Sequence, residues 1–178
     1  MRRMRRPAAL LLVALAAAAL CGCSPAADPE PSASGAVSGT PIPLACEQLV
    51  PASALAGLWG GFSPDDGIET TAVSEEIAQY DGLVCGWSDD SGAELQLAVA
   101  HLDPAVIEAL KNEFFTTSKA VPTYGKPPEI EGYYQVAEGR GAADAFVGEY
   151  WIEASSASFV EPGDPEPLVR SAIGVLAG

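Results

Sequence analysis

The chain of 178 residues carries 24 acidic residues, nine basic ones and one histidine, a formal charge of −15. Every acid lies beyond residue 22 but four of the arginines precede it, so the rest sets five basic residues against 24 acids, a formal charge of −19. Such a surface repels phosphate backbones and anionic headgroups, which excludes nucleic acid as a partner and electrostatic attachment to a membrane. Its plain reading is solubility through mutual repulsion; the sharper one is a docking site for a cation or a basic partner.

Met1 to Pro7 holds the four arginines, and Ala8 to Leu20 is an uninterrupted apolar run. That run is shorter than the roughly 20 residues a membrane-spanning helix needs. With Leu20-Cys21-Gly22-Cys23 behind it, the pattern is that of a lipoprotein export signal. Residues 1–22 are therefore expected to be removed and Cys23 to carry acyl chains, which hold the protein to the outer side of the cell membrane. Residues 23–43 are rich in Pro, Ala, Ser and Gly and have no apolar period, as in a disordered tether. A flexible chain of about 20 residues has a reach of roughly 25 Å.

A single domain is expected over residues 44–178. Pro51 opens a short predicted helix through Leu58. Residues 59–81 read as a long loop with one helical turn near Ser74 to Gln79. Leu83 to Trp87 is a predicted strand, Asp89 to Gly92 a turn, and Ala93 to His101 an alternating strand, together a hairpin. Asp103-Pro104 is a cap followed by proline, opening a helix to Thr117 with Val106, Ile107, Leu110 and Phe114 on one face. Residues 118–132 form a second loop. Strands follow at Tyr133 to Glu138, Ala142 to Val147 and Tyr150 to Ser156, and Asp164-Pro165 repeats the cap-and-proline signal before a last helix. The tight turns imply antiparallel pairing. The predicted fold is α+β: an antiparallel sheet of about five strands, helices packed on one face, and one disulfide.

With Cys21 removed and Cys23 acylated, Cys46 and Cys85 remain in an oxidising compartment. They are expected to form the disulfide; the alternative is a pair of metal-binding thiolates, a poor zinc site without nearby histidines. Cys46-Glu47-Gln48-Leu49-Val50-Pro51, then Leu55 and Leu58, followed by Cys85-Gly86-Trp87 and an alternating strand, resembles a group of actinobacterial cell-envelope lipoproteins. These carry a domain of unknown function behind a lipobox and a low-complexity tether. The resemblance implies that the two cysteines pair; it implies no reaction and no catalytic residues.

Nothing in the pattern points to a catalytic residue, a metal site or a cofactor. His101 has no sequence companion, and no serine sits in a Gly-x-Ser-x-Gly elbow. Asp89-Asp90-Ser91-Gly92 lacks the alternating ligands and bidentate glutamate of a calcium loop. The aromatic residues are the remaining signal. Trp59, Phe62, Tyr124 and Trp151 are candidate anchors of a binding surface framed by the two loops, with Trp151, opposite in parity to Ile152, on an exposed sheet face. The expected function is a membrane-anchored, non-enzymatic binding or accessory module whose partner is an envelope protein or a small ligand. Two alternatives stand beside it: a cell-wall or lipid hydrolase with a serine and His101 assembled in space, and a carrier of small apolar ligands.

Overall fold

The computed structural model describes residues 38–58, 61–137 and 139–178. The expected signal, Cys23, most of the tether and Trp59 lie outside the described residues. In chain order the elements are α1 (Cys46–Leu49), α2 (Ala52–Leu55), β1 (Ser63–Pro64), α3 (Ala72–Gln79), β2 (Leu83–Ser88), β3 (Glu94–His101), α4 (Pro104–Thr117), β4 (Lys119–Ala120), β5 (Ile130–Ala137), β6 (Arg140–Val147), β7 (Tyr150–Ser156) and α5 (Glu166–Leu176).

The strands form one sheet in the order β1-β2-β3-β7-β6-β5-β4, every neighbour antiparallel. The α+β class and the antiparallel sheet agree with expectation, but the sheet has seven strands rather than about five. The additions are the two-residue edge strands β1 and β4, inside the segments read as loops. Alternation cannot mark so short a strand, because a period needs several residues to be seen.

Helices cover both faces of the sheet, not one. Leu95, Leu97, Val99, Ile152 and Ala154 point to one side, into a core shared with Leu49, Leu55, Leu168, Val169 and Ala172 of α1, α2 and α5. Ala98, Ala100, Phe146 and Trp151 point to the other side, against Ile77 of α3 and Ile107, Leu110 and Phe114 of α4. The period of two sends successive side chains to opposite faces. Here each face has apolar residues to bury and amphipathic helices to bury them.

Cys46 and Cys85 are disulfide-bonded with Cα atoms 5.6 Å apart, tying α1 to β2 across 39 positions of chain. Closing a loop of that length stabilises a fold by about 4 kcal/mol in the chain-entropy view. The Asp103 carboxylate accepts from the Ala105 N–H at 2.8 Å and Pro104 follows, the cap read from the sequence. At the last helix the expectation fails. Asp164 instead accepts from Val160 and Glu161 N–H groups at 2.7 and 3.0 Å, bracing the loop before α5. Residues 38–43, assigned by composition to the tether, lie against the domain, with the Thr40 N–H donating to the His101 carbonyl at 2.8 Å.

Two details place the wall of the candidate site. Thr71 caps α3, its hydroxyl accepting from Ser74 N–H at 3.0 Å while the Ser74 hydroxyl accepts from Thr71 N–H at 2.9 Å. Gly86 of β2 lets the preceding loop cross the sheet closely, since a Cβ there would lie 2.5 Å from the Asp65 carbonyl oxygen.

Candidate functional site

On the α3/α4 face, α4 shields the row that contains Trp151 and Phe146. The next rows run Ala98, Glu153, Asp144, Tyr133, and then Gln96, Ser155, Ala142, Gln135, as the strand register dictates. These rows lie beside a cavity of about 430 Å³ between the loop that enters α3 and the β5–β6 hairpin. Glu69, Thr70 and Thr71 form one wall; Arg140, Glu153 and Ser155 contribute its polar strand side. Gln96 fastens the wall to the sheet: its carbonyl oxygen accepts from Thr71 N–H at 3.3 Å and its amide donates to the Glu69 carbonyl at 3.5 Å.

Two carboxylates lie under this groove. Asp144 and Glu153 stand directly opposite each other on β6 and β7 and are 0% and 1% exposed. Directly opposed residues of antiparallel strands have Cβ atoms roughly 4.5–5.5 Å apart. Asp144 Oδ1 accepts from the Trp151 indole N–H at 2.9 Å. Asp144 Oδ2, Glu153 Oε2 and Arg140 Nη2 are buried without a hydrogen-bond partner among the described residues. Arg140 donates through Nε to the Ser155 hydroxyl at 3.4 Å.

Burial disfavours both charged forms. It pushes Asp144 up to about 7, with the Trp151 N–H opposing the rise. It pushes Glu153 up to about 8, helped by the charge of Asp144 and opposed by the Ser155 hydroxyl and the Arg140 guanidinium. Near neutrality Glu153 therefore keeps most of its proton, while Asp144 is close to half-ionised. Protonated, each carboxyl is both a donor and an acceptor. The groove is thus lined by the Glu153 carboxyl beside an incompletely satisfied guanidinium, a combination that binds polar molecules.

The aromatic surface expected from the sequence is not assembled. Trp151 is 1% exposed, stacked on Phe146 and edge-on to Phe114, because α4 covers the sheet face it occupies. Tyr124 is also 1% exposed; it sits in the opposite core and donates its hydroxyl to the Pro162 carbonyl at 3.0 Å. Phe62 is half-buried against that same core. The two segments meant to frame the surface supply β1 and β4, the opposite edges of the sheet. Residues 69–73 of the first segment line the groove; the second segment does not. Tyrosine and tryptophan pack as apolar bodies with one polar tip, so sequence parity alone cannot separate a covered aromatic face from an open one.

His101 Nε2 lies 3.0 Å from Glu149 Oε2 and its ring stacks on Tyr150 with centroids 4.6 Å apart. No serine hydroxyl among the described residues is hydrogen-bonded to it. Asp89 Oδ1 accepts from the Ser91 N–H, the Ser91 hydroxyl and the Ala93 N–H at 2.7–2.9 Å, so that carboxylate closes its own turn. Those bonds hold its pKa below the usual carboxylate range. Among the described residues, no three His, Cys, Asp or Glu side chains converge as a metal site would require.

Asp144 and Glu153 escaped the sequence reading. Each interrupts a strand otherwise made of small and apolar residues, Ala-Ala-Asp-Ala-Phe-Val and Trp-Ile-Glu-Ala-Ser. An acid in such company is a signal, but in a sheet expected to face water on one side it reads as a solvated residue. Comparison with protein families, characterised proteins and solved structures finds no match for this chain.

Proposed function

We propose that the protein is an extracytoplasmic lipoprotein, anchored by acyl chains on Cys23, whose domain is a non-enzymatic binding module for a small polar ligand. The observation that carries the binding site is the groove itself. A cavity of about 430 Å³ lies within the range of small-molecule sites, and it adjoins a buried glutamate and an arginine with polar atoms that no described residue satisfies. Leaving such groups unmade costs roughly 1–3 kcal/mol each, a cost that a ligand with matching groups recovers.

The hydrolase alternative draws no support from His101, whose partner is Glu149. The apolar-carrier alternative has a smaller groove of about 290 Å³ beside the exposed Phe115, lined by Val121, Pro122, Pro127 and Tyr133. No helix among the described residues is long and apolar enough to cross a membrane.

The test uses the full-length chain in mild detergent and the indole N–H resonance of Trp151, which reports on Asp144 from one bond away. A panel of free amino acids, short peptides, sugars, polyamines and phosphate esters is titrated in. One class should shift that resonance, and Glu153→Gln should abolish the response. If no class shifts it at millimolar concentration, the groove is not a binding site.

A further inference from the structure

Resting on the groove as the binding site, we infer that its ligand is a small zwitterion, bearing an ammonium group for Glu153 and a carboxylate for Arg140. The inference begins with the unpartnered atoms. Glu153, 1% exposed, adjoins the cavity and has an Oε2 with no partner among the described residues. Arg140 lines the same cavity, with Nη2 buried and likewise unpartnered. Its Nε bond to Ser155 leaves the rest of the fork available for a planar anion, and guanidinium–carboxylate pairing is the strong case of such bonds.

Charge selects against the simpler ligands. Five basic residues against 24 acids beyond residue 22 give a field that repels a net anion. A simple cation suits that field but meets Arg140 at the site. A ligand that is neutral overall and carries both charges avoids the first penalty and uses both groups. The wall residues Thr70, Thr71, Ala72 and Ala142 are small, so they leave room for an amino acid or a short peptide.

Docking of the ammonium at Oε2 requires Glu153 to be ionised, so the proton it carries in the free protein passes to solvent. The other charged groups around it are Asp144 and Arg140 on β6 and Glu69 on the wall. Glu76 of α3 and Glu113 of α4 line the neighbouring cleft over Trp151.

The test is calorimetric titration of the full-length chain with alanine, alanylalanine, alaninamide and N-acetylalanine, in two buffers of different ionisation enthalpy at pH 7. Alanine or alanylalanine should bind with proton release. Alaninamide lacks the carboxylate and N-acetylalanine lacks the ammonium. Each should bind about tenfold to a hundredfold more weakly, the loss of one charge-assisted contact. Glu153→Gln and Arg140→Gln should each produce the same loss, while Arg140→Lys should recover part of it. If an analogue with one charge binds as tightly as the zwitterions, or if the two variants bind normally, the inference is overturned. If no zwitterion binds but another class still shifts the Trp151 resonance in a Glu153-dependent way, the inference fails and the binding groove stands. Silence from every class removes both.

Discussion

Replacing Glu153 by glutamine should make the protein more stable at alkaline pH, and the size of the gain follows from its burial. The native carboxyl is raised from 4.5 to about 8 by desolvation and by the neighbouring Asp144. The native state therefore binds this proton more tightly than the unfolded chain. Its contribution is fully present below pH 4.5, declines as the unfolded state releases its proton first, and is lost once pH passes the native value. Each unit is worth about 1.4 kcal/mol, so a rise of about 3.5 units means that the ionised form weakens the fold by on the order of 5 kcal/mol. The amide keeps the shape, cannot ionise, and places an N–H beside the Asp144 carboxylate. Urea unfolding of both proteins at pH 5 and pH 9 is the assay. At pH 5 they should differ little; at pH 9 the variant should be the more stable by several kcal/mol, or on the order of 10 °C in melting temperature for a domain of this size. Asp65 and Asp89, whose pKa values are lowered by hydrogen bonds, stay ionised in both states across this window and act only at lower pH. A wild-type stability that is flat or rises between pH 5 and pH 9, or a variant weaker than wild type at pH 9, would refute the reasoning.

The remaining predictions touch other parts of the molecule. Asp144→Ala should cost roughly 1–3 kcal/mol at pH 5 by leaving the buried Trp151 N–H unpaired, whereas Asp144→Asn should keep that bond and the Trp151 indole resonance in place. Reducing Cys46–Cys85 should cost about 4 kcal/mol and lower the urea midpoint; a midpoint unmoved by reduction would show that the cross-link adds nothing. Phe114→Ala, at the meeting point of Tyr133, Phe146 and Trp151, should cost roughly 3–5 kcal/mol by denaturation. Cys23→Ala should abolish metabolic labelling by a fatty-acid analogue; labelling that persists would move the acylated residue to Cys21.

The local signals in the chain determined the local structure. Alternation at Leu95, Leu97 and Val99 marked β3, and Asp103-Pro104 marked the start of α4, because a strand's pleat and a helix's free N–H groups make demands on nearby residues alone. The arrangement of cysteines led to the disulfide that joins α1 to β2. Tertiary structure alone decided what lay over each face of the sheet. Ile107, Leu110 and Phe114 announce that α4 has something to bury, but their spacing does not name its partner. By packing on the second face, α4 turned Trp151 from an expected surface anchor into core. The same enclosure, with β3, β6 and β7 placed side by side, took Asp144 and Glu153 out of water and set them opposite each other. A carboxylate's chemistry depends on its solvation, and solvation here is set by elements far away in the chain.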